Sequence, residues 1–300
     1  MSKPVIFEEL AIDVATELAE QRGIIIVPAA TTEAHGYHLP LGTDSFTAEW
    51  IAKELSARTG LPTLVPTPIR AGASPTFHYD VDGDPIPGTL AISHSTMHAL
   101  IKDLVRGFWA TGFRKVIFIQ GHGQVTNFQV IAHEVATELR REGKAIFIAA
   151  ATYWELAAQT LREVLSTPFY HAGEEETSNV LLARPDLVNI DRAQGKPLKP
   201  LLDRALLKRS ITQDETETFS VWDVAQWITI PDKGKKSVFG LGETEAIKSA
   251  TAEKGRAILE KATERYLALI RDLELHYAPQ EVPGVDVKER PAEPRFSVDY

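Results

Sequence analysis

The chain has 300 residues, a mass of 33.1 kDa and 44% hydrophobic side chains, enough to bury the core of one α/β domain. Its net charge of −9 and its pI near 5.5 argue against a sequence-independent nucleic-acid surface, which needs clustered Lys and Arg, so no RNA or DNA partner is expected. It has no cysteine, which excludes disulfides, thiolate nucleophiles and cysteine-held zinc or iron–sulfur clusters, so any metal must be held by His, Asp and Glu.

The first twenty residues lack the apolar core of a signal peptide, and no stretch reaches the length of a membrane span. A cytoplasmic protein without a membrane partner is expected. Residues 5–22 read as a helix leading into a short, β-branched, continuously apolar strand at 24–30, the pattern of a strand buried on both faces. An amphipathic helix at 43–58 turns Phe46, Trp50, Ile51 and Leu55 inward. An extended segment at 62–68 follows, then an irregular loop at 70–88 whose Pro and Gly forbid regular structure.

A helix is expected at about 92–110, with Ile92, Leu100, Ile101, Leu104, Val105 and Phe108 at helical spacing. Further elements are a strand at 115–120, a helix at 126–142, a strand at 145–151 and helices at 153–165 and 174–183. Such alternation calls for a three-layer αβα sandwich around a mostly parallel sheet. After Pro185 the periodicity loosens, and 185–240 reads as an inserted or oligomer-facing lobe on a single domain covering 1–275. Its Trp222 and Trp227 suit either a local core or a cap on a neighbouring site. Residues 242–274 read as one long helix, and 276–300, rich in proline, as an extended tail.

Chemistry concentrates in residues 31–44, TTEAHGYHLPLGTD, directly after the first strand. Ligands of open α/β sheets bind outside the carboxyl ends of the strands, and Glu33, His35 and Asp44 are ligand types that suit Zn²⁺, Mn²⁺ or Fe²⁺. Taken alone they also suit an ordinary polar loop. Two similar clusters follow other strand-like runs: Gly121-His122-Gly123 after 115–120, and His171-Ala172-Gly173-Glu174-Glu175-Glu176-Thr177-Ser178. Walker-type and GxGxxG phosphate loops are absent.

The pattern Glu33-x-His35 with Leu39-Pro40-Leu41-Gly42-Thr43-Asp44 resembles the creatininase family. So do Pro87-Gly88-Thr89-Leu90, Gly121-His122-Gly123 with Asn127, and the segment from His171 to Ser178, in the family's order. The resemblance implies two divalent ions bridged by Asp44, one held by Glu33 and His122 and the other by His35. Creatininase has a ligating glutamate where this chain has Gln124, and the expected replacement is Glu174 as a metal ligand, with Glu176 assigned a supporting role in catalysis. Glu176 is the rival ligand.

The resemblance makes His171 the proton carrier, a task suited to imidazole, although a structural core histidine is the alternative. His38 reads as a supporting residue, and His94 and His98 as surface or interface residues. Trp154 matches a family aromatic that lines the substrate pocket, whereas Thr167 stands where creatininase has a second tryptophan. Ser74, His78 and Tyr79, in a loop rich in hydrogen-bonding groups, are candidate substrate contacts if 74–80 is more than a surface loop.

The implied activity is ring opening of a small polar cyclic carbonyl compound by metal-activated water. Departures from creatininase favour 3-dehydro-scyllo-inosose, a diketo-inositol cleaved between carbons. The alternatives are hydrolysis of a cyclic amide or formamide and a non-catalytic metal-binding assembly protein. Creatininase-like proteins are commonly hexamers, so a homo-oligomer is expected.

Overall fold

The computed structural model describes residues 3–73, 87–123, 125–167, 171–196, 240–241 and 244–276. Its centre is a five-stranded parallel sheet formed by β1 (Val5–Ile6), β2 (Ile24–Ala29), β3 (Thr63–Val65), β6 (Lys115–Gln120) and β7 (Phe147–Thr152). The spatial order is β1-β3-β2-β6-β7. Strand β4 (Gly72–Ala73) pairs with β5 (Ala91–Ile92) outside that sheet, and β8 (Gly195–Lys196) pairs with β9 (Gly240–Leu241).

Strand alternation sorts the core into two layers. On one face Ile25, Val27, Val116 and Phe118 pack with residues from α1 (Ile12–Glu20), α3 (His94–Thr111) and α4 (Val125–Arg141). The opposite face joins Ile24, Ile26, Ile117 and Ile119 to α2 (Thr43–Arg58), α5 (Tyr153–Leu156), α6 (Ala158–Val164) and a long carboxyl-terminal helix. Between these last two elements of the chain lie α7 (Glu174–Ala183) and α8 (Thr244–Lys248), and the long helix itself is α9 (Ala252–His276). The expected αβα sandwich is the observed one.

Three expected helices change in detail. Residues 5–22 do not form one helix: Val5 and Ile6 pair with Leu64 and Val65 at the sheet edge, and α1 starts only at Ile12. The β-branched pair finds a strand partner that no local pattern reveals. The helices expected at 153–165 and 242–274 are each broken, at Ala157 and at 249–251. Most of the 185–240 lobe, including Trp222 and Trp227, and the tail beyond His276 lie outside the described residues.

The strand order fixes where a ligand can sit. From β2 the chain moves to β3 on one side and later returns through β6 on the other, so the sheet reverses its winding between β2 and β6. The crevice at such a switch point is the usual ligand site of an open α/β sheet. Gly121 closes its floor: a Cβ there would lie 2.4 Å from the Asp44 carbonyl oxygen, so glycine lets the end of β6 rest against the start of α2.

Candidate metal centre

Four segments converge on this crevice. The loop after β2 brings Glu33 and His35, the first turn of α2 brings Asp44, the loop after β6 brings His122, and the loop and first turn of α7 bring His171 and Glu176. Asp44 and Glu176 lie in first turns, where the helix dipole favours carboxylates. Asp44 stands between two imidazoles. Its Oδ1 lies 2.9 Å from His35 Nε2, and its Oδ2 lies 2.9 Å from His122 Nδ1.

Glu33 Oε1 is 3.4 Å from His122 Nδ1 and 3.5 Å from His171 Nδ1, while Glu176 Oε2 is 3.5 Å from His35 Nε2. The candidate ligand atoms form three overlapping groups: Glu33 with Asp44 and His122, His35 with Asp44 and Glu176, and Glu33 with His35 and His171. The first two share Asp44. His35 supplies the chemical test of fit, because Nδ1 faces the Glu33 carbonyl at 3.1 Å and Nε2, fully buried, has no aligned hydrogen-bond partner despite its 2.9 Å approach to Asp44. A buried imidazole whose outer nitrogen is tied to a carbonyl and whose inner nitrogen is free among carboxylates is a ligand geometry.

Electrostatics tell the same story. Burial works to raise the Asp44 pKa, yet His35 and His122 outweigh it and hold the carboxyl well below its ordinary range. Burial depresses His122, but Glu33 and Asp44 overcome this and push it up to about 10. His35 is likewise raised well above its ordinary value against burial, through Asp44 and Glu176. The carboxylates therefore demand cationic partners, and protonated histidines meet that demand in the absence of ions.

Glu174 does not join this centre, which corrects the expectation that it completes a metal shell. Its carboxylate accepts from the backbone N–H and hydroxyl of both Ser166 and Thr167 and pairs with Lys254 Nζ at 2.5 Å. Successive helical residues point about 100° apart, so three adjacent glutamates fan out to three partners. Glu174 faces α9, Glu175 faces Tyr153 and Asn179, and Glu176 faces His35. The rival ligand is therefore the one at the site. Glu174→Ala is expected to cost about 2–3 kcal/mol of stability, because it strands Lys254 and two backbone donors, while metal content measured by emission spectrometry stays unchanged.

Other candidates make contacts of their own. Trp154 packs on the core of the α2 and α9 face, edge-on to Tyr153 with ring centroids 5.0 Å apart. Thr167 serves Glu174, and His98 faces Glu138 of α4 at 3.4 Å. Ser74, His78, Tyr79 and Gln124 lie outside the described residues. Sequence reasoning missed the buried group behind Glu176, in which Tyr153 donates to Glu175 and Glu175 also accepts from Asn179. Burial and the Glu176 charge raise Glu175 well above the ordinary carboxyl range. Asn179, four residues after Glu175, was the one local signal for it.

The sequence profile described as Creatininase: creatinine amidohydrolase matches residues 8–270. The chain belongs to the creatininase family. Among creatininase-family relatives, the 3-dehydro-scyllo-inosose hydrolase of Thermotoga maritima is 28% identical, with 98% of this chain and 92% of that protein covered. The creatinine amidohydrolase of Pseudomonas putida is 25% identical, with 91% and 98% covered. Solved creatininases in a manganese form and, as a variant, in a Zn–Zn form share the fold. Each has a TM-score of 0.67 at 22% identity, covering 90% of this chain and 98% of its own.

Among the described residues, no helix of this creatininase-family chain is long and apolar enough to cross a membrane.

Proposed function

We propose that the chain is a hydrolase dependent on two divalent ions, drawn from Zn²⁺, Mn²⁺ and Fe²⁺, that opens the ring of 3-dehydro-scyllo-inosose by hydrolysing a carbon–carbon bond. The observation that carries this reading is the pair of ligand groups sharing Asp44, with His171 beside Glu33. Glu33, Asp44 and His122 would hold one ion, and His35, Asp44 and Glu176 the other. Ions so held supply Lewis acidity and make water nucleophilic at neutral pH.

His171 provides the proton transfer. Its Nε2 lies 2.9 Å from the Ala34 carbonyl, which can only accept, so Nε2 carries the ring hydrogen and Nδ1 is the basic nitrogen. That nitrogen faces the Glu33 carboxylate. It takes a proton from the attacking water and delivers it to the departing enolate carbon, so that the diketone and one water become one open-chain acid. The second carbonyl of the diketone stabilises the enolate, which makes carbon a competent leaving group.

The substrate assignment draws on the Thermotoga relative, which spans nearly the whole chain, and on Thr167 and Gln124 standing where creatininase differs. The Pseudomonas relative keeps cyclic amide hydrolysis as the second reading. Protein reconstituted with Mn²⁺ or Zn²⁺ is expected to release protons and form a carboxylate from the diketone, and to leave creatinine untouched. Creatinine turnover with an inert diketone would reverse the assignment. With neither compound cleaved, a metal-binding assembly role would replace it.

A further inference from the structure

The loop after β2 carries a histidine that the proton transfer does not use. His38 is 1% exposed, and its Nε2 lies 3.0 Å from Thr177 Oγ1 in the first turn of α7. A hydroxyl has a single proton, and Thr177 donates its own to the Gly173 carbonyl at 2.6 Å. The hydroxyl oxygen therefore accepts from His38, and Nε2 carries the ring hydrogen. Nδ1 is left as a bare lone pair, buried and without a partner. Burial, with His35 and His171 adding to it, pushes the ring pKa down to about 4, so that lone pair is available at neutral pH.

An unpaired buried acceptor costs about 1–3 kcal/mol. Native structures rarely keep one without a reason. The company it keeps points to a ligand. Among the described residues, the buried side-chain nitrogen and oxygen atoms lacking a partner are His35 Nε2, His38 Nδ1, both amide atoms of Gln120, and Asn179 Oδ1. His35 and His38 follow β2, Gln120 ends β6, and Asn179 lies one helical turn beyond Glu176. Four of these five atoms belong to residues at or just after the carboxyl ends of β2 and β6, the strands that flank the switch point. A bound polar molecule would supply the partners that these atoms lack.

We infer that His38 Nδ1 accepts a hydrogen bond from a ring hydroxyl of the substrate, making His38 a residue that selects for hydroxylated rings. The inference rests on the hydroxylated-ring reading given above. Two substitutions separate the ring's two nitrogens. His38→Gln puts an amide N–H where Nε2–H stood, keeping the bond to Thr177 but offering no acceptor at the Nδ1 position. His38→Asn puts a carbonyl oxygen close to Nδ1.

The probe is scyllo-inositol, a fully hydroxylated ring that cannot be cleaved, titrated calorimetrically into metal-loaded protein, with KM and kcat for the diketone measured beside it. His38→Gln is expected to weaken binding and raise KM roughly tenfold or more, the lower part of the range set by an unmade buried hydrogen bond. Its kcat and metal content are expected to stay near those of the wild type, and His38→Asn to bind within about threefold of it. A glutamine variant that binds like the wild type overturns the inference, because the acceptor then serves only a water. So does an equal loss in both variants accompanied by loss of metal, which marks a structural role. Wild-type protein that binds scyllo-inositol but cleaves no diketone, with the glutamine defect present, sinks the proposed reaction and leaves the His38 contact standing. A glutamine variant that cleaves the diketone with the wild-type KM does the reverse.

Discussion

Asp44→Asn is expected to lower turnover by about a thousandfold or more, the scale on which removing a principal electrostatic group acts, and to reduce the metal content. The substitution keeps the shape of the side chain and removes the charge shared by both ligand groups. Asp44 is held ionised despite complete burial because His35 and His122 face its two oxygens. In metal-free protein the same contacts keep both histidines protonated.

The signs of the pH dependence follow. His122, raised to about 10 from an ordinary 6.5, contributes stability to the metal-free protein that is complete below 6.5 and is lost as pH rises toward 10. Asp44, depressed from 3.8, contributes stability that is complete above that value and is lost as pH falls. Ions must displace the imidazole protons, so loading at pH 7 releases protons and affinity rises with pH. Calorimetric titration of metal in buffers of different ionisation enthalpy reads that release directly. In the asparagine variant both histidines lose a charged partner that they share, and the release shrinks. Full activity and full metal content in Asp44→Asn would remove the shared carboxylate from the mechanism.

His171→Ala is expected to lower kcat by about 10²–10⁴-fold, the contribution of a positioned general acid and base, with metal content unchanged. The measurement also separates two roles that the geometry leaves adjacent, since His171 belongs to one three-residue ligand group as well as facing Glu33. Metal lost in parallel with activity would make His171 a ligand and transfer the proton chemistry to another group.

The strands and helices that line the site were legible because the sequence alternates apolar strand-like runs with longer segments between them. Helices 43–58 and 174–183 begin and end where the sequence placed them. The edge strand at Val5 and Ile6 was hidden because its partner, β3, lies some sixty residues away in sequence. The same distance effect explains Glu174. Three consecutive glutamates look alike in sequence, and it takes Ser166, Thr167 and Lys254, the last on a helix eighty residues later, to draw Glu174 aside and leave Glu176 to face His35. Chemistry-bearing residue types were therefore visible from the motifs, whereas the choice among neighbours depended on contacts made across the fold.

The dependence of α7 on α9 has a temporal consequence. A Cβ on Gly255 would stand 2.2 Å from the Ser178 carbonyl oxygen, so the two helices touch through backbone, and Lys254 on the same turn grips Glu174. The helix that seats Glu176 thus leaves the ribosome after every strand of the main sheet. Helices α2 and α7, which bring Asp44 and Glu176, both pack against α9, so these carboxylates take their final seats only once α9 docks. The seating of these carboxylates therefore follows the synthesis of α9, at the carboxyl-terminal side of the fold.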